Sequence, residues 1–312
     1  MTIYHHPGFA APLGNHIMPI AKFDLVAQEI SQNLPGVSIQ APEPIAESDL
    51  LQVHTADYVR AIRTGVPVDL AESQKFPWSP QLYPSVCLTS GGVLAAAGSA
   101  LSDGCSAALA SGFHHACADH GEGFCTFNGL VVASESLRRA GRIRTVAVLD
   151  MDLHYGNGTA SLAPSRPWMR VLSIYGNDYW NNEPFRDVKV RHHEDGDNHF
   201  SVPLVPTGSS DRALLLETLE AHLGWLVANG KPDLLLYQAG ADPLNDDPYS
   251  PLDLNHDDLM ERDRRVFRFA KEQGIPVAWV LAGGYSRDIN KVVAVHVNTA
   301  RASIEVFGRI SQ

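Results

Sequence analysis

Residues 149–158 read Leu149-Asp150-Met151-Asp152-Leu153-His154-Tyr155-Gly156-Asn157-Gly158, directly after an apolar run that predicts a buried strand. Alternation along an extended chain sends the two aspartates and the histidine of this stretch to one side. Because unpaired buried charge is costly, that side is predicted to hold a divalent metal or a charge-relay cluster. The glycines that follow predict a turn out of the sheet, so the charged groups lie at the C-terminal end of the strand.

Strand-like and helical patterns alternate outward from this stretch. The alternation predicts an α/β fold whose mainly parallel sheet is flanked by helices. We find no low-complexity linker and no repeat of fixed period, so residues 1–312 are expected to form a single domain. The predicted helices are 85–101, 126–140, 211–229, 256–273 and 288–307, and the predicted strands are 106–110, 145–149, 170–174, 234–238 and 275–281.

Polar groups follow four of these predicted strands. The first strand is followed by His114 and His115, and the second by the stretch quoted above. The last two strands are followed by Asp242 and, after two glycines, by Tyr285. Because parallel strands bring their C-terminal ends to one edge of a sheet, these groups are expected to converge there.

Part of this set suits a metal ion. Asp152, His154 and Asp242 would supply three ligands and leave positions open, which is the pattern of catalytic zinc. The metal would polarise a carbonyl and lower the pKa of bound water from ~15.7 towards ~7. Asp246 and Asp247 compete with Asp242 as the third ligand, but they lie further along, in a predicted loop, which favours Asp242.

The other groups suit proton transfer. His115 or His114 would take a proton from the attacking water, and Tyr285 would donate a hydrogen bond to the developing oxyanion. Asp150 and Asn157 would orient the two histidines. Together with the metal, these groups predict metal-assisted hydrolysis of an amide or a similar bond.

The composition excludes several classes of function. With 312 residues, 45% of them hydrophobic, the chain can form a large core. A formal net charge of −11 argues against nonspecific binding to nucleic acid or to an anionic membrane. No run is expected to span a bilayer, and residues 1–7 lack the pattern of a secretory signal. Four cysteines without CxxC spacing predict small buried thiols in a reduced, cytoplasmic protein.

Six short motifs are individually weak but specific in combination. In chain order they are Gly112-Phe113-His114-His115-Ala116, Gly123-Phe124-Cys125, Asp150-Met151-Asp152-Leu153-His154, Gly156-Asn157-Gly158-Thr159, Ala241-Asp242-Pro243 and Gly283-Gly284-Tyr285. Weaker matches, Val53-His54 with Tyr58 and Phe200-Ser201-Val202-Pro203-Leu204, extend the pattern over nearly the whole chain. In this pattern the chain resembles the zinc-dependent histone deacetylase superfamily, which includes acetylpolyamine amidohydrolases and bacterial histone-deacetylase-like amidohydrolases. The resemblance implies the arginase/deacetylase α/β fold.

Two ion sites are implied by this resemblance. Asp152, His154 and Asp242 correspond to the zinc ligands, although ferrous iron accepts the same ligand set. A structural monovalent cation, K⁺ or Na⁺, is implied close by. Its site matches Asp150, Asp152, His154 and Ser173, together with main-chain oxygens.

The resemblance also implies roles for the residues around the metal. His115 corresponds to the general base and acid, and His114 to its electrostatic partner. Tyr285 corresponds to the group that polarises the scissile carbonyl. Phe124, with Gly123 beside it, corresponds to one wall of the narrow tunnel that holds the acyl-lysine chain.

Three departures from the family pattern leave the substrate open. Asn157 stands where class I members have Asp, whereas class II and class IV members commonly have Asn. Residues 175–183 replace the pocket-lining loop of many relatives, so Tyr179 and Trp180 are the candidates for the second tunnel wall. The acidic loop residue that grips the substrate backbone in many members is not found.

These features predict an enzyme that removes an acetyl or other acyl group from an amine, with Nε-acyl-lysine as the first candidate. An acetylpolyamine is the second, and Asp178 and Glu183 are then candidate acidic residues at the pocket mouth. An arginase-like enzyme would need an Asp-Ala-His-x-Asp run, and Gly156 replaces its last aspartate. An inactive acyl-lysine-binding or scaffold protein should have lost part of the site, which this chain retains.

The remaining histidines are assigned to structure rather than to chemistry. His192-His193-Glu194-Asp195-Gly196-Asp197-Asn198-His199 contains metal-ligating types, but its polarity, its glycine and its lack of periodicity favour a solvated loop. His5, His6 and His16 belong to an early segment that is one candidate for the pocket mouth. We expect them instead at the surface or at the start of a helix.

Overall fold

The computed structural model describes residues 1–12, 16–178, 183–184, 196–206, 208 and 210–308. The strands of this part are β1 (Thr2–Tyr4), β2 (Ser38–Gln40), β3 (Cys105–Ser111), β4 (Val146–Asp150), β5 (Met169–Tyr175), β6 (Asn177–Asp178), β7 (Glu183–Pro184), β8 (His199–Pro203), β9 (Leu234–Ala239) and β10 (Val277–Leu281). All except β6 and β7, which form a short antiparallel pair, join one parallel sheet in the order β2-β1-β3-β10-β9-β4-β5-β8.

Helices connect these strands and flank the sheet. Those of the described part are α1 (Lys22–Asn33), α2 (Glu47–Leu50), α3 (Ala56–Thr64), α4 (Val68–Ala71), α5 (Leu82–Asp103), α6 (Gly129–Arg139), α7 (Asn157–Leu162), α8 (Asp211–Leu223), α9 (His256–Glu272) and α10 (Ile289–Phe307). Short 3₁₀ helices occur at Pro7–Phe9, Ala163–Ser165 and Gly224–Val227. Local signals fix several helix starts, as at α9, where Asn255 and Asp258 form a reciprocal capping box.

The predicted α/β class is confirmed, and each predicted helix or strand corresponds to an observed one with its ends shifted by a few residues. The last turns of the predicted helix 211–229 form a 3₁₀ helix after Leu223. The sequence pattern missed β1 and β2. Each has three residues, too few for a periodic signal, and β1 is held by pairing with both β2 and β3.

The register of the sheet aligns the strand ends that carry the polar groups. Asp150, the last residue of β4, lies opposite Gln238 of β9 and Ser173 of β5. Because β10 lies between β9 and β3, the ends of β3, β10, β9 and β4 follow one another along one edge. Every residue of these four strands is buried, as expected for parallel strands covered on both faces. The chemistry is therefore confined to the loops beyond their ends.

Helix α5 corrects the expectation that no run is long enough to span a bilayer. By length and composition alone, its 22 residues would suffice to cross a membrane. However, 67% of its most apolar 18-residue stretch is buried inside the fold, where the helix packs against β3 and α6. The segment before α2 also lies close against this helix, since a Cβ at Gly91 would lie 2.0 Å from the backbone oxygen of Glu43. Helix α5 is a core helix of the sheet.

A buried ion pair ties α9 to the loops that carry the site. Arg262 and Asp263 are both fully buried, and the Arg262 Nε donates to the Asp263 carboxylate at 2.9 Å. Nη1 of Arg262 donates to the backbone oxygens of Gly240, at 2.8 Å, and Met151, at 3.3 Å. Asp263 also accepts from the hydroxyl of Thr299 at 2.6 Å. The network thus fixes the chain just after β4 and just after β9.

Replacing Arg262 with methionine is expected to lower the free energy of unfolding by about 3–5 kcal/mol, because Asp263 would remain buried without its charged partner. Denaturant unfolding measures this difference. Arg264→Met is the matched control, because the Arg264–Glu305 pair is partly exposed and such pairs contribute roughly 0–1 kcal/mol. Equal effects of the two substitutions would contradict a structural role for the buried pair.

Candidate active site

Three candidate metal ligands lie together beyond the ends of β4 and β9. One ligand atom from each of Asp152, His154 and Asp242 lies within 4.8 Å of the other two. Nδ1 of His154 is 3.1 Å from a carboxylate oxygen of Asp152 and 3.1 Å from one of Asp242. All three residues are buried. Two carboxylates and one imidazole in a buried cluster form a donor set that fits a zinc or ferrous ion.

Asp152 and His154 reach this cluster by a different route from the one predicted. Strand β4 ends at Asp150, so alternation along an extended strand is wrong as their explanation. The chain bends instead, because the Asp150 carboxylate accepts from the backbone N–H of Asp152 at 3.1 Å. The Asp152 carboxylate accepts in turn from the backbone N–H of His154 at 2.9 Å. Such side-chain-to-backbone bonds favour a turn over a strand.

The cluster carries an excess of negative charge. Burial and the neighbouring Asp152 carboxylate raise the pKa of Asp242 to about 7. Burial alone lowers the pKa of His154, but its hydrogen bonds to Asp152 and Asp242 outweigh burial and raise the pKa to about 10. A proton on His154 or a divalent cation can balance this charge, and the cation requires His154 to be neutral.

The loop after β10 closes over the cluster at a glycine. The backbone N–H of Gly283 donates to the Asp152 carboxylate at 2.8 Å. A Cβ at this position would lie 1.8 Å from a carboxylate oxygen of Asp242, so a side chain at residue 283 would displace that candidate ligand. Lys22 of α1 holds the loop from behind, donating to the backbone oxygens of Ala282, at 2.8 Å, and Gly283, at 2.6 Å.

The two histidines that follow β3 each pair with the partner predicted for them. Nδ1 of His114 is 2.7 Å from the Asp150 carboxylate, and Nδ1 of His115 is 2.6 Å from Oδ1 of Asn157. The rings lie side by side, with centroids 4.0 Å apart. Burial and the adjacent His114 lower the pKa of His115 well below its ordinary value, which favours a neutral ring that can accept a proton.

The backbone has an unusual conformation before His114 and begins a helix at Asn157. Phe113 adopts a φ of 58°, a left-handed conformation that costs energy for a bulky residue and turns the chain sharply after β3. The segment Gly156-Asn157-Gly158 was expected to be a simple turn, but α7 begins at Asn157. Asn157 therefore sits on a short helix that holds its side chain against His115.

Tyr285 lies beside the ligand cluster. Its ring centroid is 6.1 Å from that of His154 and 5.4 Å from that of Tyr249, both in edge-to-face contact. Burial and the Asp152 and Asp242 carboxylates raise the pKa of Tyr285 well above 10, so its hydroxyl keeps its proton. The backbone N–H of Tyr285 donates to the Asp247 carboxylate at 2.6 Å.

The alternative ligands Asp246 and Asp247 have other partners. Asp247 accepts from the backbone N–H groups of Tyr249 and Tyr285, and the Asp246 carboxylate lies 2.6 Å from the ammonium group of Lys291. The compact ligand cluster found in the described part of the chain contains Asp242 and neither of the other two. The geometry therefore agrees with the choice of Asp242, and Asp247 instead positions the segment that carries Tyr285.

Aromatic rings surround the predicted tunnel residue Phe124, which has a φ of 64°. Phe76 stacks on it, with centroids 5.8 Å apart and an interplanar angle of 16°. The ring of His16 meets Phe124 edge-on at 4.9 Å. The surface position predicted for His16 holds only in part, because its ring is half-buried against the predicted tunnel residue. The candidates Tyr179 and Trp180 lie outside the described residues, as do the side chains of Asp178 and Glu183.

Ser173 lies next to Asp150 in the sheet, at the site implied for a monovalent cation. Its hydroxyl oxygen is buried and has no hydrogen-bond partner among the residues that the structure describes. An oxygen without a partner at this place is compatible with a K⁺ or Na⁺ ligand.

Of the remaining histidine-rich stretch, residues 192–195 lie outside the described ones. His199 does not belong to a solvated loop as predicted, because it is buried at the start of β8. Cys117 and Cys125 are buried, as predicted, and so are Cys87 and Cys105; all four are free thiols.

Sequence reasoning missed Glu122. Oε2 of Glu122 accepts from Nδ2 of Asn157 at 2.6 Å. The carboxylate thus binds the end of the Asn157 amide opposite to the end that contacts His115. Glu122 precedes Gly123 in a tight turn in which the backbone N–H of Cys125 donates to its carbonyl at 2.7 Å. The available signal was its place beside the Gly-Phe-Cys motif, but only the folded chain brings it to Asn157.

Comparisons with known proteins agree with this geometry. The family model described as "Histone deacetylase domain" matches residues 16–300. Histone deacetylase 2 of Arabidopsis thaliana is 30% identical over 265 residues, which cover 82% of this chain and 66% of that protein. Acetylpolyamine amidohydrolase 2 of Pseudomonas aeruginosa is 31% identical over 189 residues, which cover 59% of this chain and 52% of that one. This chain thus matches about half the length of the Pseudomonas protein.

A solved structure extends the likeness to the fold. The crystal structure of an acetylpolyamine aminohydrolase from Burkholderia pseudomallei superposes with a TM-score of 0.76 at 23% identity, covering 98% of this chain and 99% of that one. At this identity the comparison shows a shared fold. The family model, in contrast, matches the amino-acid sequence over residues 16–300 and therefore shows the family. The chain belongs to the histone deacetylase domain family.

Proposed function

We propose that this protein is a zinc-dependent amidohydrolase that removes an acetyl or other acyl group from an amine, with Nε-acyl-lysine as the first candidate substrate. The observation that carries this proposal is the position of His114 and His115, each with its hydrogen-bond partner, beside the buried ligand cluster. His114 pairs with Asp150, and its Nε2 lies 3.7 Å from the Asp152 carboxylate. His115 pairs with Asn157, and its ring centroid lies 6.0 Å from that of His154. Membership of the deacetylase family supports hydrolysis as the reaction type.

Asp152, His154 and Asp242 would hold the metal. Zinc is proposed, and ferrous iron suits the same ligands. When bound, the ion supplies Lewis-acid polarisation of the scissile carbonyl and acidifies the attacking water. A structural K⁺ or Na⁺ is proposed at Asp150 and Ser173, where a buried hydroxyl lacks a partner among the residues that are described.

The side chains of the protein would move the protons. His115 is proposed to accept a proton from water and to return it to the leaving amine, because burial favours its neutral form. His114, held by the Asp150 carboxylate at 2.7 Å, would supply positive charge beside it. Tyr285 would donate its hydroxyl hydrogen to the oxygen on which negative charge develops.

The substrate assignment depends on the tunnel. Phe124, with Phe76 stacked on it and its ring 6.2 Å from that of Tyr285, offers an aromatic surface that suits the methylene chain next to the acylated nitrogen, a feature that acyl-lysine and an acetylpolyamine share. An acetylpolyamine remains a specific second candidate, because the Pseudomonas relative that is 31% identical is named for that substrate. Acidic side chains at the pocket mouth would favour the polyamine.

Acetate release tests this proposal. The zinc-loaded protein is expected to hydrolyse an acetyl-lysine peptide or an acetylated polyamine, and removal of the metal by a chelator is expected to abolish release until zinc returns. Parallel assays with both substrates assign the amine class from the ratio of kcat/KM values. Absence of release from acetyl substrates, and then from longer acyl-lysine peptides and other acylated amines, would contradict amidohydrolase function.

A further inference from the structure

The carboxamide of Asn157 lies between the ring of His115 and the carboxylate of Glu122 and contacts both. Its Oδ1 is 2.6 Å from Nδ1 of His115, and its Nδ2 donates to Oε2 of Glu122, also at 2.6 Å. Asn157 is 5% exposed and His115 is 4% exposed, so both lie away from bulk solvent. The side chain of Glu122 is 22% exposed and connects this buried pair to the surface.

Donor and acceptor chemistry fixes the direction of this chain of hydrogen bonds. An ionised carboxylate only accepts, so the end of the Asn157 amide that faces Glu122 must be the NH₂ group. The amide oxygen then faces His115, and an amide oxygen also only accepts. Nδ1 of a neutral His115 must therefore carry the hydrogen. The lone pair of the ring is then on Nε2, which a proton-accepting role requires.

The neighbouring histidine shows why Glu122 matters. His114 pairs with the carboxylate of Asp150, whose oxygens are both acceptors, so no rotation of that group can reverse the hydrogen bond. His115 pairs with an amide, and rotation of the amide by 180° would present NH₂ instead of oxygen. In that orientation Asn157 would favour the opposite tautomer, with the hydrogen on Nε2. An amide in this place needs a second group to fix its orientation.

Glu122 is itself held in place. Its Oε1 lies 3.0 Å from Nε2 of His120, and its own backbone carbonyl accepts from Cys125 at 2.7 Å. The next residue but one, Phe124, is anchored by a hydrogen bond from its backbone N–H to the carbonyl of Gln74 at 3.1 Å. The carboxylate thus approaches Asn157 from a loop that is fixed on both sides.

We propose that Glu122 is a positioning residue that, through Asn157, sets the tautomer of His115. By accepting from Nδ2 of Asn157, Glu122 keeps the amide oxygen toward His115 and the lone pair of His115 on Nε2. The consequence for catalysis rests on the proposed function, in which His115 accepts a proton. The pair Asn157 and Glu122 then does together what a single carboxylate does for His114.

The proposal predicts an unusual pattern among four variants. Glu122→Ala is expected to lower kcat about tenfold with little change in KM, since an outer partner orients a catalytic histidine. Asn157→Asp alone is also expected to lower kcat, because two carboxylates would face each other at the 2.6 Å contact. Glu122→Ala combined with Asn157→Asp should recover most of the activity, because the introduced carboxylate offers an acceptor to His115 in either orientation. Glu122→Gln should be intermediate.

A merely structural role would give a different result. If Glu122 only stabilised its loop, the double variant would be at least as impaired as the worse single variant, and this outcome would overturn the proposal. So would a kcat for Glu122→Ala within twofold of wild type. Glu47→Ala is the matched control, because Glu47 is a partly exposed glutamate with two partners, Arg63 and Tyr83, and is expected to leave kcat unchanged.

The tautomer can also be read without activity. Two-bond ¹H–¹⁵N correlation spectra distinguish Nδ1–H from Nε2–H rings, and the signals of His115 are assigned by their loss in His115→Gln. Nδ1–H in the wild type and a shift toward Nε2–H in Glu122→Ala would support the proposal, whereas an unchanged tautomer would overturn it. If the wild type turns over no acylated amine, the proposed function fails, and these spectra still decide the role of Glu122.

Discussion

Replacement of Asp242 with asparagine is expected to remove zinc and amide hydrolysis together. The side chain keeps its size, so Leu153, whose backbone N–H donates to Oδ1 of Asp242 at 2.9 Å, retains an acceptor. The cluster nevertheless loses one of its two anionic ligands, and a neutral amide is a weak ligand for zinc. The loss of metal affinity should exceed the roughly 10–100-fold that removal of an outer hydrogen-bond partner costs.

Metal content measured by elemental analysis, alongside acetate release, tests this expectation. Circular dichroism and the unfolding midpoint establish that the variant is folded. Asp246→Ala is the control, because the Asp246 carboxylate pairs with Lys291 and lies outside the ligand cluster, so this variant should keep its zinc. Full zinc occupancy in Asp242→Asn, or loss of zinc in Asp246→Ala, would mean that the third ligand is a different carboxylate.

Asp242 illustrates what the sequence could predict. The motif Ala241-Asp242-Pro243 is weak by itself, but parallel strands must end at one edge of the sheet, and Asp242 follows an apolar strand. The same argument predicts that His114, His115 and Tyr285 lie together at this edge. The prediction succeeds for these residues because burial on both faces gives the strands a strong apolar signal, and topology then fixes their ends.

The same reasoning failed where local bonding determines the chain path. Asp152 and His154 converge on the site through turns closed by side-chain-to-backbone hydrogen bonds, which an alternation pattern does not describe. Glu122 was missed, and Asp247 was considered only as an alternative metal ligand. Each of them contacts a residue from another loop, Asn157 and Tyr285 respectively. Contacts between loops depend on the closed tertiary structure, so polarity and spacing along the chain carry little information about them.

Replacement of Tyr285 with phenylalanine is expected to leave zinc bound and to lower kcat by about 10²–10³, the effect of losing one donor to a developing oxyanion. The ring contacts with His154 and Tyr249 do not need the hydroxyl, and the backbone N–H still donates to Asp247. The variant should therefore fold and bind substrate as the wild type does. If the hydroxyl donates only in the transition state, kcat and kcat/KM should fall equally while KM stays constant.

Steady-state kinetics on the preferred acylated amine, with metal content measured on the same samples, separates the possible causes. Tyr4→Phe is the matched control, because it removes a part-buried hydroxyl that contacts Ser99 at 2.8 Å and has no partner near the site. A raised KM at constant kcat would show that Tyr285 binds the substrate without stabilising the transition state. An unchanged kcat would remove Tyr285 from the mechanism. The oxyanion would then have to be stabilised by the metal ligand cluster and by His114 and His115 alone.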